Sequence, residues 1–253
     1  MAMSTCDDVT DDSTWRRTDL SNQLVFAWCG PIFAILFGVG FVIFARFIPA
    51  LPPSDSAAAT AEIFRDRGTG IKIGMIMVQV AIGLWLPFGV CVAGRVRAIE
   101  GGRGRSLTYL QLVAVATAAT QLILMTNFWG VAAFRAGETS PWATQLLNDI
   151  GWFFFLFCFV PLTIWVLAIA PPILQDRSDQ RDYPRWVGYL SLWVALLLIP
   201  GASILVFFKE GILAWNGLLP LYIPLAVFFI WFVPICFYTL RAVRREMADP
   251  QPR

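Results

Sequence analysis

The chain contains no histidine among its 253 residues, and this absence removes a large part of protein chemistry. Without imidazole there is no ordinary haem ligand, no zinc site built on histidine, and no Ser-His or Cys-His nucleophile pair. The sequence therefore indicates no catalytic residues, no metal and no cofactor.

Cysteine is scarce and poorly spaced for metal binding or for disulfides. The chain has five cysteines, and no two of them form a CxxC pair. Four of the five lie in strongly apolar stretches: Cys29, Cys91, Cys158 and Cys236. A thiol in such surroundings behaves as a small apolar side chain, so we expect buried free cysteines.

Charge is the third scarcity, since 14% of the residues are charged and 58% are hydrophobic. The net charge of +2 and the scattered basic residues disfavour a nucleic-acid partner. The charges are also segregated, which leaves six long stretches without Asp, Glu, Lys or Arg. Because a bilayer core needs roughly 20 apolar helical residues to cross it, each stretch can span a membrane.

The sequence therefore predicts an all-α polytopic transmembrane bundle with about six spans. The predicted spans cover residues 24–47, 71–95, 107–134, 147–174, 186–208 and 220–240. They form one transmembrane domain over 23–241, with tails at 1–22 and 242–253. The first tail contains Asp7, Asp8, Asp11 and Asp12 and few apolar side chains, so we expect it to be mobile.

Lys and Arg accumulate on one predicted side of the membrane, as the positive-inside rule requires of cytoplasmic loops. Placing both termini in the cytoplasm assigns 13 of the 19 basic residues to that side. We therefore predict a multi-pass protein of the plasma membrane with both ends cytoplasmic. The inner arginines attract anionic lipid headgroups, although the rule for topology explains them without a specific phosphate site.

Helix signals also occur in the loops between the spans. Ser54 or Asp55 can cap a short helix that Gly68 would stop, and Ser140-Pro141 has the pattern of a helix start that runs into span four. Five prolines inside spans predict kinks: Pro31, Pro87, Pro161, Pro200 and Pro234. Span three, rich in Ala and Thr, is the candidate packing hub, while spans four and six suit contact with lipid.

Polar and aromatic residues cluster at the outer end of span three and in the neighbouring loops. The candidate binding residues are Asn127, Trp129, Arg135, Asn148, Asp149, Trp152, Trp215 and Asn216. One interpretation is an outer ligand pocket with Arg135 as the anchor and tryptophans as apolar walls. The other is an Arg135–Asp149 ion pair that closes a helical hairpin inside an aromatic belt.

Several short motifs resemble those of an uncharacterised family of multi-span bacterial membrane proteins that is frequent in actinobacteria. The motifs are Pro184-Arg185-Trp186-Val187-Gly188-Tyr189, Phe207-Phe208-Lys209-Glu210-Gly211, Ala214-Trp215-Asn216-Gly217-Leu218, Asn127-Phe128-Trp129 with Phe134-Arg135, and Asn148-Asp149. The resemblance covers most of the chain from span one onward. It implies fold and location, and it carries no catalytic residues.

Three functional hypotheses follow from abundant packing surface without catalytic groups. The first is a non-enzymatic accessory subunit or a binder of lipid or another apolar molecule in the outer pocket, with membrane lipids, membrane-protein partners or a second copy as partners. The second is a facilitator or exporter of small uncharged or amphipathic molecules, suggested by the kinked spans. The third is a lipid-modifying membrane enzyme that uses Asp149 or Glu138 as a base.

Overall fold

The computed structural model describes residues 6–101, 105–204 and 207–248, and in these ranges the chain folds into packed α-helices without strands. The helices are α1 Cys6–Gly38, α2 Ala57–Asp66, α3 Gly68–Ile99, α4 Ser106–Phe134, α5 Pro141–Leu156, α6 Phe159–Gln175, α7 Arg185–Ile204 and α8 Ile223–Ala248. Two π-helical turns, Val39–Phe44 and Leu218–Tyr222, adjoin α1 and α8. The predicted all-α polytopic bundle is thereby confirmed.

Five segments of the described chain are long and apolar enough to cross a membrane. They are Arg17–Phe44, Gly68–Ile99, Ser106–Phe134, Pro141–Gln175 and Leu218–Ala248. The remaining predicted span, 186–208, corresponds to α7, whose apolar part Arg185–Ile199 is shorter. The helix positions therefore follow the segregation of charge along the sequence.

The sequence predicts a mobile tail over residues 1–22, and most of that range is helical in the structure. In the structure α1 begins at Cys6 and continues into the first span, and residues 1–5 lie outside the described part. Once the apolar helix exists, each added residue gains a backbone hydrogen bond without a new nucleation cost. Gln23 supports this extension, because its amide donates a hydrogen bond of 2.6 Å to Asp19. At the other end, α8 runs through most of the predicted second tail to Ala248.

Span four is broken into two helices, as the prediction of a kink at Pro161 implies. Helix α5 ends at Leu156, and α6 begins at Phe159. Proline has no N–H to offer the carbonyl one turn earlier, at Phe157. That carbonyl instead accepts a 3.4 Å hydrogen bond from the Val160 N–H, which tightens the chain locally.

The two loop helices begin at serine caps. The Ser140 side chain accepts a hydrogen bond from the Ala143 N–H, and Pro141 is the first helical residue, so this prediction is confirmed. The cap of α2 is Ser56, whose side chain accepts from Ala59, so the prediction of Ser54 or Asp55 is wrong by one or two residues. Local signals of this kind fix a helix end only to within a few positions.

Span three, the predicted packing hub, packs against α3, α5 and α6, but it is not the most buried of the long segments. In their most apolar windows, α3 and the α5–α6 segment are each 50% buried, against 39% for α4. Only one face of α4 is used for packing, through Ala114, Ala118 and Ala119. Thr117 and Thr120 are exposed, and each hydroxyl donates to a backbone carbonyl of the preceding turn. Small residues permit close helix contact, but they do not decide which face receives a partner.

Candidate functional sites

The three tryptophans of the predicted outer site lie together, but they pack against one another. The rings of Trp129 and Trp152 meet edge to face at 5.1 Å, and Trp152 stacks on Trp215 at 6.3 Å. All three side chains are buried. The Trp215 indole donates a 2.8 Å hydrogen bond to the Leu51 carbonyl, which ties the loop after α7 to the segment after α1. Since each ring contacts another, the structure assigns the three indoles to the core at this end.

Asn148 is also part of the predicted outer cluster, and the structure places it beside these tryptophans. Its side chain is almost fully buried, and its backbone carbonyl accepts a 3.3 Å hydrogen bond from the Trp129 indole. The amide nitrogen donates to the half-buried Asp149 carboxylate at 3.3 Å. Within the described residues the Asn148 Oδ1 atom and the Trp152 indole nitrogen are buried without a hydrogen-bond partner. An outer ligand pocket therefore stays a prediction.

The remaining predicted site residues lie away from these rings. Asn127 is exposed on α4, and Asn216 is half-buried in the loop before α8. Arg135 is 54% exposed and binds Glu138 at 2.9 Å, so the predicted Arg135–Asp149 ion pair is corrected. The observed pair forms because residues three apart near a helix end are neighbours, whereas Asp149 belongs to another helix.

An apolar cavity that the sequence analysis did not identify lies inside the membrane-spanning part of the bundle. Its volume is about 70 Å³, and its wall contains no charged side chain. The lining comes from every long helix: Phe33, Phe37, Trp85, Leu122, Phe155, Leu156, Cys158, Phe159, Leu162, Leu198, Pro220, Leu221, Pro224, Leu225, Phe228 and Phe229. The cavity adjoins the break between α5 and α6 and the π-helical turn before α8, where regular helix packing is interrupted.

Burial divides the cavity wall into a floor and a rim. The floor is formed by fully packed aromatic side chains, among them Phe33 and Trp85, whose rings stack at 5.5 Å. The rim contains half-buried side chains of α6 and α8, including Phe159, Leu225 and Phe229. These half-buried side chains mark the less enclosed side of the cavity.

A buried ionic cluster joins the opposite end of the bundle, which we call the basic end. The Arg95 side chain on α3 is 4% exposed and donates a 2.5 Å hydrogen bond to Glu246 on α8. A second guanidinium nitrogen donates to the Gln23 side chain on α1. Arg95 is the last residue of the predicted span 71–95, and in the structure it links three helices.

Asp182, in the loop between α6 and α7, completes the cluster at the basic end. Its carboxylate is fully buried, accepts a 2.6 Å hydrogen bond from Arg245, and lies 4.0 Å from Arg95. The neighbouring Tyr183 is also buried and shares a 2.7 Å hydrogen bond with Thr239 on α8. Burial raises the pKa of the Tyr183 phenol above its ordinary value of 10.0, so the hydroxyl keeps its proton at neutral pH.

Neither the apolar cavity nor the ionic cluster at the basic end was predicted from the sequence, and the reason is physical. The cavity depends on how seven helices meet, and no residue type along the chain marks it. Arg95 carried one usable signal, because it lies at the end of the predicted span 71–95 and not in the following loop. A charge in such a place is expensive unless it is paired, so it predicts a partner without saying which.

The described residues bring no group of three or more His, Cys, Asp or Glu side chains together in a way that could hold a metal ion. In comparisons with known proteins, no family model, no curated protein and no solved structure matches this chain. The fold itself defines the class, which is an all-α bundle of the membrane-spanning type.

Proposed function

We propose that the protein is a non-enzymatic multi-pass protein of the plasma membrane that binds a slender apolar chain, such as a lipid acyl chain, in the cavity between α6 and α8. The observation that carries the proposal is the cavity wall of 16 side chains, none of which is charged. Membership of the uncharacterised bacterial family and a role as an accessory subunit belong to the same proposal.

Size and packing support a chain-shaped ligand over a bulky one. A volume of about 70 Å³ is smaller than the engineered cavity of about 150 Å³ that accepts benzene. In a bilayer the ligand leaves lipid that is as apolar as the cavity, so area burial alone gives little free energy. Affinity comes instead from dispersion contacts with close aromatic rings, each small and many together.

A photoreactive fatty acid tests the proposal on the full-length protein. The protein is reconstituted in nanodiscs that contain palmitic acid with a diazirine on the chain, irradiated, digested and analysed by mass spectrometry. We expect adducts on the cavity wall, at Phe159, Leu225 or Phe229, because these half-buried side chains line its less enclosed side.

Two variants of α8 separate cavity binding from general contact with lipid. Leu225→Trp places a larger side chain in the cavity. Ile230→Trp makes a comparable substitution at a side chain that is 60% exposed. We expect the first variant to abolish the wall adducts and the second to retain them. Adducts confined to exposed positions such as Ile230, and unaffected by Leu225→Trp, would refute the proposal.

A further inference from the structure

We propose a second binding site, for the phosphate of an anionic lipid headgroup, in a basic cleft between the α6–α7 loop, the start of α7 and the last turns of α8. The cleft has a volume of about 410 Å³ and is lined by five arginines: Arg177, Arg181, Arg185, Arg241 and Arg245. Only two acidic residues, Asp179 and Asp182, line it with them. It shares no residue with the apolar cavity, so the two proposals stand independently.

The acidic residues do not neutralise the cleft. Asp182 is fully buried and is held by Arg245 at 2.6 Å, so its charge is already compensated inside the bundle. In the part of the chain that the structure describes, the guanidinium groups of the other four arginines have no hydrogen bond or ion pair. All four are exposed around the cleft. An anion of two charges would therefore meet several donors that have no competing protein partner.

The arginines are held at fixed backbone positions. Arg245 donates to the backbone carbonyls of Gln180 and Arg181, at 3.1 and 3.3 Å, which fastens the α6–α7 loop to α8. Asp176 accepts two hydrogen bonds from Ser178, and Tyr183 is anchored to α8, so the loop is held at both ends. A fixed backbone lowers the entropy cost of closing several guanidinium groups on one phosphate.

Like-charge spacing gives a second reason to expect an anion. Arg241 and Arg245 are four residues apart on α8 and therefore lie on one face of the helix. Both side chains line the cleft. Pairs of equal charge at this spacing destabilise a helix unless a counter-charge is present. Asp182 supplies that counter-charge to Arg245, whereas Arg241 has no ion pair in the described part of the chain. Phosphate suits the role, because guanidinium groups bind its oxygens through pairs of parallel hydrogen bonds.

The position of the cleft favours a lipid over a soluble phosphate as the source of the anion. Tyr238 lines the cleft and meets Trp186 edge to face at 5.9 Å, an aromatic pair of the kind found at headgroup level. Below this pair the outer surfaces of α7 and α8 expose large apolar side chains, including Trp193 and Phe237. A phosphate in the cleft thus leaves acyl chains in contact with an apolar surface of the protein.

Native mass spectrometry of the delipidated full-length protein tests the site by separate titrations with dioleoylphosphatidylglycerol, dioleoylphosphatidylcholine, inorganic phosphate and glycerol 3-phosphate. The cleft variant is Arg181→Gln with Arg241→Gln. The matched control is Arg97→Gln with Arg105→Gln, two exposed arginines outside the cleft that remove the same charge. We expect the cleft variant to lose about tenfold or more of the affinity for phosphatidylglycerol while the control changes little. Thermal unfolding in detergent checks that both variants fold.

Two results would overturn the proposal. An equal loss in the cleft and control variants would mean that diffuse surface charge, and not the cleft, attracts the lipid. Binding of inorganic phosphate or glycerol 3-phosphate to the cleft, without preference for phosphatidylglycerol over phosphatidylcholine, would assign the site to a soluble anion instead.

Discussion

At the scale of single residues, Arg95 is the side chain whose surroundings depart most from its type. Arginine is almost never fully buried unless it is paired, and Arg95 is 4% exposed. Glu246 and Gln23 accept its hydrogen bonds, and Asp182 lies 4.0 Å away. The free energy of such a cluster is set less by the attraction than by what remains when one member is removed.

Substitution of Arg95 should therefore lower the free energy of unfolding more than substitution of the exposed Arg97. We expect Arg95→Gln to lower the free energy of unfolding by about 2–3 kcal/mol, toward the lower end for a broken buried pair because Glu246 is partly exposed. Arg97→Gln, in which an exposed arginine is changed, should lie within about 0.5 kcal/mol of the parent protein. Equilibrium unfolding in mixed detergent measures both, and equal effects would contradict the structural role of the cluster.

At the scale of elements, α3 meets the π-helical turn Val39–Phe44 through glycines. A Cβ atom on Gly74 would lie 2.5 Å from the Gly40 carbonyl oxygen and 2.9 Å from the Ala45 nitrogen. Both neighbours are backbone atoms, which cannot rotate away as a side chain can. The contact between the two elements therefore depends on the absence of a side chain at this crossing.

A matched pair of glycine substitutions in α3 tests this crossing. Gly74→Ala should reduce the free energy of unfolding by about 3 kcal/mol, the upper part of the overpacking range, since the clash is with backbone. Gly83→Ala, on an exposed face with no atom within 4 Å of the new Cβ, should raise it by roughly 0.5–1 kcal/mol because alanine is the better helix former. If both variants were stabilised, the helices would have to be farther apart than observed.

At the scale of the whole molecule, the ionic cluster and the outer tryptophans lie at opposite ends of the bundle. Contacts of Arg95 and Arg245 with Asp182 bring the end of α3, the α6–α7 loop and the end of α8 together. The Trp215 hydrogen bond to Leu51 joins two loops at the other end. This arrangement matches the grouping of basic loops by the positive-inside rule, and the direction across the membrane stays a prediction.

Cysteine labelling in intact cells tests both the grouping and the direction. In a Cys6→Ser background the four remaining cysteines are buried, so single exposed cysteines can be introduced at Ser54, Arg97 and Gln180. We expect a membrane-impermeant maleimide to label Ser54→Cys from outside, and to label Arg97→Cys and Gln180→Cys only after permeabilisation. Labelling of Arg97→Cys but not Gln180→Cys would contradict the fold, while a full reversal would contradict the direction alone.

The outer cluster shows how far sequence reasoning reached for the candidate site. The sequence predicted that Trp129, Asn148, Trp152 and Trp215 lie at one depth in the membrane. The structure links the four residues by ring contacts and a hydrogen bond. The sequence could not say that the rings pack together, since that depends on the rotation of each helix about its axis. For the same reason Asn127, on the same helix as Trp129, faces outward.

Sequence by itself determined the helical class and the approximate extent of the spans, because ionised groups are costly in hydrocarbon and their absence marks the chain over long distances. Tertiary structure alone decided which faces pack, where α5 and α6 leave a cavity, and how Arg95 finds its acceptors. These features depend on the mutual rotation and depth of several helices, and such geometry is a property of contacts between distant residues, which no local pattern encodes.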